Sequence, residues 1–117
     1  MKIFSFARDD GHHVDQYGSD FVLAPLTDPR GRVRVACFHL SPGEFIGEHE
    51  ATVDQLFCVV EGSGWVSGSD GVQSTIKSHQ GAYWASGERH ATGTEYGLTA
   101  IVLEGDEFSI TAHEIPL

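Results

Sequence analysis

Three side chains carry donor atoms that suit a metal ion: His49, Gln55 and His90. Imidazole nitrogens and an amide carbonyl oxygen together can hold a divalent transition metal such as zinc, iron, nickel or manganese. All three donors are neutral, so none cancels a dication's charge in a partly desolvated site, and such a centre binds more weakly than one containing a carboxylate. Two reserve ligands stand nearby. Glu88 precedes His90 by two residues and shares its face if a strand begins that early. His39 alternates with Val33, Val35 and Cys37 in VRVACFHL and reaches the interior if that face lines it. Phe45, Phe57, Tyr83 and Trp84 surround these polar groups as candidate walls of a small-molecule pocket, and Phe57 shares a strand face with Gln55.

The elements that must position these groups read as strands. Short runs of β-branched and aromatic residues recur at 21–25, 32–40, 55–61, 64–68, 72–77, 81–85 and 97–104, separated by clusters of Gly, Asp, Ser and Pro. The turn-forming stretch SGSDG at 67–71 joins two strands as a hairpin. No sustained helical stripe appears, so the chain is all-β, a sandwich or small barrel. At 117 residues it forms one domain, 1–117, with 1–20 as an N-terminal arm or edge strand. In that arm His12 and His13 are adjacent and point to opposite sides of an extended chain, a poor arrangement for one metal ion. Ile3, Phe4 and Phe6 suit pairing with a second subunit.

Charge narrows the partners. Seventeen acidic against seven basic residues give a formal charge of −10, which repels nucleic acid and anionic membrane surfaces. No apolar run is long enough to span a bilayer, and MKIFSFARDDGHHVD meets charge before a signal-peptide core could form. Cys37 and Cys58 each sit in an apolar strand, as buried thiols of a reducing compartment do. The expectation is a cytoplasmic protein that takes a small molecule. There is no phosphate loop, dinucleotide fingerprint or nucleophile elbow.

The pattern Gly43, five residues, His49, five residues, Gln55, six residues, Gly62 resembles the first motif of the cupin superfamily, and Gly81, Gly87 and His90 resemble the second. The resemblance covers about 32–104. It implies a small single-domain cupin: a jelly-roll barrel, or double-stranded β-helix, with a metal site and commonly a homodimer. Ala51 stands where the motif has its second histidine, Gln55 where it has a glutamate, and Ala85 is nearest the expected proline. Two readings stay open. One is a metal-dependent enzyme of oxygenase, isomerase or lyase type; the other is a non-catalytic binding or sensor domain that has lost its metal.

Overall fold

Alternation of apolar and polar residues produces nine antiparallel strands in the computed structural model, which describes residues 1–106 and 109–117. They are β1 (His12–Val14), β2 (Phe21–Pro25), β3 (Val33–Leu40), β4 (Phe45–Glu50), β5 (Asp54–Ser67), β6 (Gln73–Lys77), β7 (Gly81–Trp84), β8 (Arg89–Gly93) and β9 (Leu98–Gly105). The strand order is β1-β2-β3-β9-β5-β8-β4, with β6 and β7 also pairing with β5. The described residues contain no α-helix, only the short 3-10 turns Arg8–Asp10 and Gln16–Gly18.

The long strand β5 joins the two sheets. Its first part pairs with β7 and β9, and its last part pairs with β6 and β8. A strand can change partners this way only if it bends, and the bend is supplied by an irregularity between Val59 and Glu61 followed by Gly62 at φ +82°. Gly64 lies just beyond, where a β-carbon would overlap the Gly93 carbonyl oxygen and crowd Leu98. The runs 55–61 and 64–68, read from sequence as two strands, are therefore one strand folded over a glycine corner. The expected hairpin at 67–71 is present between β5 and β6.

Two further strands, β4 and β8, were not separated from their surroundings in the sequence reading. FIGEHE and RHATG are short and rich in polar or small residues, so neither shows a strong period. In β3 the condition on which His39 would reach the interior is not met, because the face that carries it turns away from the core. The inward residues of β3 are Ala36, Phe38 and Leu40, which pack in the core with Phe21, Ile46, Phe57, Val59, Trp84, Leu98, Ala100 and Val102. Cys37 is fully buried on the other face, beside Ala24 and Ile101. Both faces of VRVACFHL are mostly apolar, so alternation alone does not fix which one turns inward.

Replacing Gly64 with alanine should lower stability by about 3 kcal/mol, since one backbone must move to admit the methyl group. Urea unfolding should show a lower midpoint at unchanged slope. A midpoint equal to that of the unaltered protein would mean that the two strand backbones are not held this close.

Candidate metal and small-molecule site

β4 and β8 pair with His49 directly opposite His90. Opposed residues of a ladder project to the same face, and the two rings lie 4.3 Å apart between centroids with planes at 56°. Each ring is tethered through Nδ1. That of His49 donates to the Gly47 carbonyl at 2.7 Å, and that of His90 to the Glu88 carbonyl at 3.4 Å. A carbonyl only accepts, so Nδ1 carries the hydrogen and Nε2 keeps its lone pair in both cavity-lining rings.

Flat neighbours hold the rings in place. Tyr17 stacks on His49 with centroids 4.5 Å apart and planes 2° from parallel, and Trp84 stacks on His90 at 4.5 Å and 26°. The Trp84 indole N–H in turn donates to the Ser67 carbonyl at 3.1 Å. Tyr17 sits in the Gln16–Gly18 turn with φ +59°, a left-handed conformation that a bulky side chain rarely adopts. The turn is seated on Gly47, where a β-carbon would overlap the Tyr17 carbonyl oxygen, and the Ser19 hydroxyl accepts from the Gly47 N–H at 2.9 Å.

Behind the histidines lies a cavity of about 130 Å³ whose inner wall is apolar: Val14, Phe21, Leu23, Phe38, Ile46, Phe57 and Trp84. Gln55, Thr92 and Glu104 line it as well. A more polar vestibule of about 240 Å³ opens past the same histidines, Gln55 and Glu104 toward Glu50, Ala51, Thr52 and Val53. Burial, and secondarily the facing His49, push the His90 imidazole down to about 4, so it is neutral at physiological pH and able to serve as a ligand.

Gln55 is buried on an inward-facing row that crosses four strands. Arg34 on β3 is opposite Glu104 on β9, Glu104 is opposite Gln55 on β5, and Gln55 is opposite Trp84 on β7. Nη2 of Arg34 donates to Glu104 Oε2 at 3.2 Å, and Nε2 of Gln55 donates to Glu104 Oε1 at 2.5 Å. Glu104 escaped the sequence reading although the alternation Leu98, Ala100, Val102, Glu104 places it at the end of the core-facing row. Tyr17 escaped because nothing in DDGHHVDQYGSD predicts that the arm folds back over the barrel.

His49, Gln55, His90, Phe57 and Trp84 thus share one cavity, whereas four other expected residues lie elsewhere. His39 is on the outer face of β3, with Nε2 2.9 Å from the Phe6 carbonyl. Glu88 accepts from the Ala85 N–H at 3.1 Å, closing the turn before β8 rather than entering the cavity. Phe45 is 42% exposed, and the inward position of β4 belongs to its neighbour Ile46. Tyr83 is also 42% exposed, lying opposite Leu56 on the outer face and interacting with Asp54. His39, Phe45 and Tyr83 differ by strand phase, since the neighbouring residue in the chain takes the inward position, whereas Glu88 lies in the turn before β8 starts. In the arm, His13 faces Asp20 at 2.7 Å, so it is engaged in an ion-pair geometry away from the cavity.

Among the described residues no three His, Cys, Asp or Glu side chains cluster as metal ligands. Two imidazole nitrogens and the amide oxygen of Gln55 form the donor set that is present, and its chemistry fits a borderline divalent ion with coordination positions left open.

No family model matches the chain, and no curated protein does. Solved structures resemble it across nearly its whole length. A Cupin 2 conserved barrel domain protein from Salinispora arenicola superposes with TM-score 0.73 at 16% identity, covering 91% of this chain and 89% of that one. A predicted oxalate decarboxylase from Thermotoga maritima gives 0.72 at 18%, covering 86% and 96%. An uncharacterized double-stranded β-helix protein from Klebsiella pneumoniae gives 0.70 at 16%, covering 90% of each chain. The chain has the cupin fold. Within this fold, Ala51, which stands where the resembled motif has its second histidine, is buried and pinned on both sides of its peptide, its N–H to the Glu88 carbonyl and its carbonyl to the Gly87 N–H. It serves as backbone scaffolding for the turn that aims His90.

The buried neutral His90 makes stability pH-dependent. Above about pH 6.5 the imidazole is neutral in folded and unfolded chains alike. Between 6.5 and 4 only the unfolded chain takes the proton, so stability falls as pH drops, by up to about 3 kcal/mol. Urea unfolding of metal-free protein at pH 7.5, 6 and 4.5 should show this decline, and His90→Gln should flatten it. An equal decline in the variant would assign the pH dependence to other groups.

Proposed function

We propose that this cupin binds a divalent transition metal through His49, His90 and Gln55 and uses it to capture a compact small molecule. The observation that carries the reading is the pair of facing imidazoles, each tethered through Nδ1 so that Nε2 is left as a donor. Such outer hydrogen bonds are what orient metal-ligating histidines elsewhere. A bound dication supplies Lewis acidity and open positions for a ligand's oxygen atoms.

The chain's own residues set what can enter. The inner wall favours an apolar end, and a cavity of about 130 Å³ is well below the roughly 300–1,000 Å³ of sites for drug-sized ligands. Among the described residues no lysine or arginine lines either chamber, so an anionic ligand would find no countercharge from them there. Because one fold hosts many reactions, the reading stops at metal-assisted capture and names no reaction.

A second reading, a metal-free binding or sensor domain, is favoured by Ala51 and by the lack of a carboxylate in the donor set. Elemental analysis of protein purified without an affinity tag separates the two. The metal reading expects close to one zinc, iron, nickel or manganese ion per chain, lost in the double variant His49→Ala, His90→Ala. Metal far below stoichiometry in both proteins, with no zinc uptake by calorimetry, would overturn it.

The same reading includes a homodimer in the cytoplasm. Support comes from Ile3 and Phe4, exposed at 88% and 74%, and from two free cysteines whose thiols are pushed up by burial and so are poorly reactive. Sedimentation equilibrium should report twice the chain mass, falling to one on Ile3→Asp with Phe4→Asp. A monomer in the unaltered protein would refute the pairing.

A further inference from the structure

The cross-strand row Arg34, Glu104, Gln55 can be hydrogen-bonded in only one sense. A guanidinium has donors and no acceptor, while a carboxylate has acceptors and no donor. Arg34 occupies one oxygen of Glu104, and the other can be approached at 2.5 Å only by the NH₂ end of the Gln55 amide. The carbonyl oxygen of Gln55 is then the end left for the cavity it lines with His49 and His90. The direction of the amide follows from which atoms can donate and does not depend on how its oxygen and nitrogen are placed.

This row also explains why residue 55 is an amide. A glutamate there would set two carboxylates against each other at contact distance, where one of them must give up its charge. One negative charge is accommodated, and it resides at residue 104 under the Arg34 guanidinium. We propose that Glu104 is a positioning residue for the site: it aims the Gln55 carbonyl at the cavity and holds the single carboxylate charge that residue 55 cannot carry beside it. The proposal rests on the metal reading for its purpose, yet the Glu104–Gln55 linkage stands or falls without metal.

The test is a double-mutant cycle of Gln55→Glu, Glu104→Gln and both together, with stability and zinc affinity measured separately. In metal-free protein at pH 7.5, Gln55→Glu should raise the unfolding equilibrium constant by about tenfold or more, and adding Glu104→Gln should recover most of the loss. Additive effects would overturn the linkage. If Gln55→Glu does not fold, side-chain NMR of the unaltered protein and Glu104→Gln decides instead. The Gln55 NH₂ signals should exchange slowly with solvent and move on Glu104→Gln, and signals unchanged between the two proteins would refute the contact.

Zinc affinity, read by competition with a chromophoric chelator, should fall by about 10-fold or more in Glu104→Gln, as for other second-layer partners of metal ligands. An unchanged affinity, in a protein whose binding is lost in the His49→Ala, His90→Ala double variant, overturns the positioning role alone. Zinc binding that is absent, or indifferent to the histidines, sinks the metal reading and leaves the stability cycle to judge the linkage.

Discussion

Everything in this barrel depends on one strand serving two sheets. β5 pairs first with β7 and β9 and then with β6 and β8, so its irregularity at Val59/Glu61 and the glycines at 62 and 64 must absorb the change of direction. Because the strand turns there, Gln55 at its start and the β8 residues paired with its end lie on opposite walls of one interior. His90 on β8 and Gln55 on β5 can thus converge although they belong to different sheets. The pocket follows from the corner, and the side chains that fill its inner end are the core of the domain itself.

How far this was readable depends on how strongly each segment repeats. The all-β class and the hairpin at 67–71 were legible because their turn residues and alternation agree. The spacing of Gly43, His49, Gln55 and Gly62 drew attention to side chains that do share a cavity. Strand phase was the weak point. In β3, where both faces are mostly apolar, alternation leaves open which set turns inward, and with it whether His39 reaches the interior. In β4 and β7 the choice between Phe45 and Ile46, or Tyr83 and Trp84, is between adjacent large apolar residues, and alternation does not say which is inside. Glu104 was hidden for the opposite reason. Its row is plainly periodic, yet a carboxylate at a strand end ordinarily faces water, and only the partners Arg34 and Gln55 make an inward place acceptable.

The site combines two kinds of constraint. Around the imidazoles it is geometric, with each ring tethered at one nitrogen and flanked by an aromatic plane from Tyr17 or Trp84. Around Gln55 it is electrostatic, a guanidinium, a carboxylate and an amide in an order that admits no reversal. The two meet at the interior without sharing a hydrogen bond among the described residues, so the rings and the amide are held by separate scaffolds.

One wall of the cavity comes from outside the barrel. Val14, Gln16, Tyr17 and Ser19 belong to the arm, which is fastened to the body by the β1–β2 pairing, by the Ser19 contact to Gly47, and by Arg8 reaching Glu44 and the His39 carbonyl. Gln16 and Tyr17 are not members of the inner core, although Tyr17 stacks on His49 and rests against Gly47 of β4. Selection can therefore retune what the protein admits through a few residues of a surface segment, while the fold that carries the histidines is inherited unaltered. A barrel of this kind is a frame with an exchangeable door, and sequence divergence concentrated in the arm would be the trace such a history leaves.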